Sequence, residues 1–171
     1  MALTSTQLQG LSSEQVAALN TTNIRAMTST QFAAFTTTQV EGLTTEQIAA
    51  IETDDITAMT SAQLNALTSL QIGSLTTDQI QTLTDTQIGY LATSQIKFLS
   101  TTQAQALTSS QIQAMSGSQI AAMSAAQLSN LDSDTIQAMD STALSALTTS
   151  QIRGLTTGFI DALTSDQVQL L

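Results

Sequence analysis

Residues 43–50 read Leu43-Thr44-Thr45-Glu46-Gln47-Ile48-Ala49-Ala50, and this octad decides the fold. Thr44 stands three residues before Gln47, which is the spacing of a capping box. In that device the Thr hydroxyl accepts from the backbone N–H of the third helical residue, and the Gln side chain returns to the N–H of the cap. Leu43 precedes the cap and Ile48 is the fourth helical residue, the two positions of a hydrophobic staple. Two independent local devices therefore agree on one register. The octad reads as a helix start.

The same signal recurs along the chain without insertion or deletion. From Leu3 to Leu170 there are 21 consecutive octads, and Leu171 opens a further one. The first position is Leu or a substitute such as Met27, Phe35 or Ile51, and the sixth is branched and apolar except for Ala104. The eighth is mostly Ala or Gly, with Tyr90, Phe98 and Leu170 as bulky departures. Ser, Thr, Asn or Asp fills the cap position everywhere except at Glu52 and Ala92, while the fourth and seventh positions vary freely. Residues 3–171 thus form one array behind the leader Met1-Ala2, with no linker or domain boundary.

A continuous helix cannot use this pattern. Eight residues at about 100° each leave the apolar stripe rotated by about 80° per octad, so no single face could be buried. Adjacent hydroxyl residues such as Thr76-Thr77 also compete for backbone hydrogen bonds in a helix interior. The expectation is an all-α solenoid of very short capped helices, about one per octad. The alternative is a β-solenoid, favoured by Thr, Ile and Val. Against it, apolar spacings of five and three would put the Leu and Ile rows on opposite faces of a straight strand.

One octad orders eight residues around two buried apolar side chains, which is too little to fold alone. Stacking must supply the rest, with small eighth-position residues letting backbones approach. The simplest arrangement is two antiparallel segments per 16-residue coil, giving a rod; three octads per coil would give a thicker, shorter one.

Composition narrows function by exclusion. The chain has 171 residues, a formal charge of −10, 42% apolar and 9% charged residues, and no His, Cys, Pro or Trp. Without His or Cys, the commonest general base and the usual soft metal ligands are missing. Arg25, Lys97 and Arg153 are too few and too scattered to follow a phosphate backbone, so nucleic acid is excluded as a partner. No apolar run reaches the roughly 20 residues of a membrane span. With no base to activate a hydroxyl, neither enzymatic activity nor a cofactor is expected.

Few positions suggest anything else. Met27, Met59, Met115, Met123 and Met139 occupy the Leu position and read as core, rather than as a recognition groove. Asp54-Asp55 and Asp132-Ser133-Asp134 lack the Gly and closing Glu of a calcium loop and read as solvated helix starts. Tyr90, Lys97 and Phe98 lie in consecutive octads. They make a small interaction patch if neighbouring eighth positions share a surface, and a local enlargement of the core otherwise. Thr-x-Thr pairs such as Thr84–Thr86 raise an ice-binding reading, but that needs a flat β-face, and Glu14, Asp78, Leu70 and Ala126 interrupt the Thr rows.

The units Leu75–Thr82 and Leu107–Ala114, read as Leu-Thr-x-x-Gln-Ile-x-Ala, resemble octapeptide arrays of large repetitive bacterial surface or secreted proteins. The resemblance covers residues 3–171 and implies an extracellular spacer or stalk, with any binding head elsewhere in a longer chain. Some such proteins are labelled adhesin-like or haem-utilising; the missing His argues against haem binding here. Both ends stay in register without atypical capping repeats, which reads as an excerpt or an engineered array. Uncapped ends lead to an expectation of end-to-end self-association.

Overall fold

A computed structural model of the chain describes residues 4–171; the Met1-Ala2 leader and the opening Leu3 lie outside them. The described residues form short helices of four to six residues, from α1 (Ser5–Gln9) to α21 (Ser165–Val168), and contain no strand. The helical alternative is the correct one. Each octad supplies one helix, and the register is the one its capping box dictates. Thr44 is the N-cap of the helix Thr45–Ala49, with φ −75° and ψ 162°. Its Oγ1 accepts from Gln47 N–H at 3.2 Å, and its own N–H donates to Gln47 Oε1 at 2.8 Å. Glu52 and Ala92, the two departures from the cap consensus, are also the N-caps whose side chains make no cap bond.

The helices end without a special residue. Most helices close on a residue in ordinary right-handed conformation, the rest on an extended Leu or Met, and no described residue has positive φ. The Leu-Thr junction is then extended, and two extended residues turn the chain into the next helix.

The chain divides into two compact units, residues 1–83 and 84–171. In the first, α1 packs on α4 (Ser29–Ala33), which packs on α7 (Thr53–Thr57), which packs on α10 (Thr77–Thr82). A second column holds α2 (Ser13–Ala17), α5 (Thr37–Glu41) and α8 (Ser61–Ala66), and a third α3 (Thr21–Arg25), α6 (Thr45–Ala49) and α9 (Ser69–Ser74). In the second unit α11 (Asp85–Tyr90), α14 (Ser109–Ala114), α17 (Ser133–Gln137) and α20 (Thr157–Ala162) form one column. Beside it stand the columns α12 (Thr93–Ile96), α15 (Gly117–Ala122), α18 (Ser141–Ser145) and α13 (Thr101–Gln105), α16 (Ala125–Leu128), α19 (Thr149–Gly154).

Within each unit the stacked helices are thus three octads apart. A coil holds three octads, or 24 residues, and the expected two-octad coil is corrected. The reason is volume. Each octad sends two large side chains inward, and a three-sided coil encloses space for both rows. Ile48, Ile72, Ile80 and Val40 of the sixth-position row are 0% exposed, and the first-position residues Leu43, Leu67 and Leu75 are each 4% exposed. Phe32 and Phe35 meet edge to face in this core, with ring centroids 5.2 Å apart. Small eighth positions permit close stacking as expected: a Cβ added at Gly42 would lie 2.7 Å from Ser13 Cβ, and one at Gly154 2.7 Å from Ala125 Cβ.

The position-five Gln ties one coil to the next. While Gln47 Oε1 completes its own capping box, its Nε2 donates to Leu19 O at 2.6 Å and Val16 O at 2.9 Å. Those carbonyls lie at the end of α2 and in the junction that follows it, one coil earlier; Val16 O also accepts from Leu19 N–H at 3.1 Å. Gln39, Gln63, Gln71 and Gln79 repeat the arrangement in the first unit, and Gln119, Gln127, Gln151 and Gln167 in the second. We call each such link a rung. The side chains that make it are buried, whereas Gln15, with no described octad three places before it, is exposed.

Gln47→Ala removes the amide bonds to Val16 O and Leu19 O and half a capping box, and takes from the half-buried Leu19 carbonyl its amide donor. It is expected to destabilise by about 2–4 kcal/mol, against about 1 kcal/mol or less for Gln15→Ala, in urea unfolding followed by circular dichroism. Deleting three whole octads, residues 43–66, is expected to keep the helical spectrum and a cooperative melt, whereas deleting residues 45–48 alone should abolish the cooperative transition.

Candidate functional surface and the Asp55 rung

The structure places Tyr90 at the end of α11, and Lys97 and Phe98 just past the end of α12. These helices stand in different columns, because consecutive octads occupy different sides of the coil. Tyr90 is 47% and Phe98 54% exposed, so the bulky eighth positions are on the surface and do not enlarge the core. Lys97 and Phe98 are neighbours in the chain; among the described residues no hydrogen bond, ring contact or ion pair joins the three side chains. Leu70, at a fourth position, is the most exposed large apolar residue among the described residues of the first unit, at 78%.

The remaining candidates resolve as structure. Met59, Met115, Met123 and Met139 are buried in the Leu row, and Met27 is half-buried. Asp132 Oδ1 caps its helix by accepting from Thr135 N–H at 2.7 Å, and Asp134 is exposed in the first turn. Among the described residues, no three metal-ligating side chains converge. Glu14 and Glu46 also lie in first turns, and both carboxyls are held below the usual Glu range. For Glu14 the Ser12 hydroxyl contributes most; for Glu46 its own backbone N–H does, followed by the Thr44 hydroxyl.

Asp55 departs from the expectation for its pair. Asp54 is solvated, but Asp55 is only 3% exposed, because it stands at position five, where a rung-forming Gln belongs. Its side chain is one methylene shorter and carries no donor when ionised. α7 also lacks a side-chain cap, its N-cap being Glu52. Oδ1 accepts from Ser29 Oγ at 2.9 Å, whereas Oδ2 is buried without a hydrogen-bond partner. Burial pushes this carboxyl above the ordinary Asp range, and the negative charges of Asp54 and Glu52 push the same way, against the Ser29 hydrogen bond. Glu52 itself sits 4.0 Å from Arg25 Nε, with both side chains more than half exposed. Nothing in the spacing of Asp54-Asp55 signalled this. The signal was the residue type at position five, which is Gln in most octads and never Glu.

A family model for the ALTTAQ repeat matches residues 1–29, 16–50, 48–85 and 136–171, more than half of the chain. The chain belongs to the ALTTAQ repeat family. Ala146-Leu147-Thr148-Thr149-Ser150-Gln151 shows how those letters fall on the structure: eighth-position Ala, first-position Leu, N-cap Thr and rung-forming Gln in one run. No curated protein matches the chain.

Because Tyr90 and Phe98 are exposed, the double replacement Tyr90→Ser, Phe98→Ser is expected to leave the helical signal intact and shift stability by no more than about 0.5 kcal/mol. A chemical-denaturation midpoint measures this, and a large loss would mean that the rings are structural.

Proposed function

We infer that the chain is a structural repeat module, a reading supported by its fold and its family. We propose that this module is a non-catalytic spacer or stalk, in which the array runs unbroken from residue 3 to 171 and its length is set by the number of octads. The recurrent rung carries this reading. The side chains with the most chemistry, the position-five amides, are buried in coil-to-coil bonds, while the freely varying fourth and seventh positions face water. Resemblance to repetitive bacterial surface proteins extends the proposal to an extracellular or cell-surface setting.

A second reading is a protein-binding scaffold that uses one long face, favoured by the exposed Leu70, Tyr90 and Phe98. Substitutions across the exposed fourth and seventh positions, and at Tyr90 and Phe98, separate the two: a spacer tolerates them, and a scaffold loses its partner. As an isolated polypeptide the chain presents Gln7, Gln15 and Asn23 amides at its first coil, and exposed Ile160 and Val168 near its last. The exposed first-coil amides support association of isolated chains end to end.

Small-angle scattering on the 171-residue chain, and on a variant with residues 43–66 duplicated, tests the spacer. The expected result is a maximum dimension that grows by roughly 8–10 Å per added coil. An unchanged dimension overturns it. For the ends, light scattering across a concentration series is expected to show growing linear assemblies, and a strictly monomeric profile counts against them.

A further inference from the structure

We propose that the buried Asp55 carboxyl, standing where a rung-forming Gln belongs, makes this one rung of the first unit a pH-dependent joint between coils, closed when the carboxyl is protonated and loosened when it ionises. The ladder geometry is the first support. By the register that joins Gln47 to Val16 O and Leu19 O, and Gln63 to Phe32 O and Phe35 O, position 55 belongs opposite Ile24 O and Met27 O. No Gln amide serves those two carbonyls. An ionised carboxylate in that place is an acceptor set against acceptors; a protonated one carries an O–H that can donate.

Burial is the second support. Asp55 Oδ2 is enclosed and unpartnered, and leaving such an oxygen charged costs more than leaving it neutral. The other buried replacements at position five, Thr135, Ala143 and Phe159, are all uncharged, and Thr135 Oγ1 approaches Leu107 O at 3.4 Å, one coil earlier.

The charges around the joint favour the proton. α4, on which α7 packs, carries no ionisable residue and offers Ser29. α10 on the other side contributes Asp78, and α7 and its cap contribute Asp54 and Glu52. Arg25, the one basic side chain of the first unit, is engaged with Glu52. The raised folded value fixes the sign. Between the ordinary Asp value of the unfolded chain and the higher value of the folded chain, the folded state binds more protons. Stability from this group therefore falls as pH rises through that window. Glu14 and Glu46, held low, act in the opposite direction and at lower pH.

The test compares thermal melts of the 171-residue chain with those of Asp55→Gln and Asp55→Asn, from about pH 5 to about pH 7.5 at fixed ionic strength. Comparison with the variants removes the contribution of every other carboxylate. Asp55→Gln is expected to melt higher than the parent, with a gap that widens by a few degrees as the pH rises, and Asp55→Asn is expected to show the same widening. Carbon-13 NMR of the Asp carboxyls should show one resonance titrating above the ordinary Asp range and absent from Asp55→Asn. Parallel curves for parent and both variants overturn the proposal. So does calcium chloride raising the parent's melting temperature at neutral pH, reversed by chelator and absent in Asp55→Gln, because the joint would then take a cation.

Discussion

A helix of five residues has almost no interior: the N–H groups at its start and the C=O groups at its end are nearly all without intrahelical partners. A protein built of such helices must satisfy both sets repeatedly, or bury them at a cost of about 1–3 kcal/mol for each group left unpaired. The primary amide at position five meets this constraint from both sides. Its oxygen accepts from the N-cap of its own helix, and its nitrogen donates to carbonyls at a helix junction one coil earlier, as Gln47 does with Thr44, Val16 and Leu19. A carboxylate could do only the first of these things. That is why Glu, an equal of Gln in an ordinary capping box, is absent from position five throughout the chain.

The apolar rows depend on this link. Ile48 and Leu43 are buried because coils stack at a fixed rotation, three octads apart, and the amide bonds fix that rotation. The rows alone would allow sliding, since Leu, Met and Ile interchange along them with little directional preference. Phe159 shows the limit of the rule: at position five it fills the space of the amide with a ring 1% exposed and gives up the hydrogen bonds. Neighbouring rungs such as Gln151 and Gln167 surround that substitution and hold the register.

Much of this was legible in the octad itself. The cap at Thr44, the box with Gln47 and the staple pair Leu43 and Ile48 are local, and local geometry suffices to read them; the same holds for the weak caps at Glu52 and Ala92. The number of octads per coil was not legible, because all octads are alike and a period of eight says nothing about which multiple of eight closes the turn. The second role of Gln escaped for a related reason. Its partners lie 28 and 31 residues away, and a perfect repeat offers an equivalent partner at every multiple of eight. Asp55 was read as solvated from its acidic neighbour Asp54, although its place in the octad, and not its neighbour, decides its burial. For the surface, the sequence marked Tyr90 and Phe98 as unusual but could not say that consecutive octads face different sides.

The junctions described above contain no proline and no residue with positive φ. Each corner is made from backbone conformations open to any amino acid, so no position in the octad needs a glycine to keep the chain turning. Tandem arrays lengthen and shorten in the genome by slippage between identical stretches of DNA. For most folds such an event puts a special turn residue in the wrong place. Here the octad is the unit of the corner, and a gain or loss of whole octads yields corners as good as the old ones. The length of the protein is consequently a trait that inheritance can adjust in small steps without first inventing a new turn.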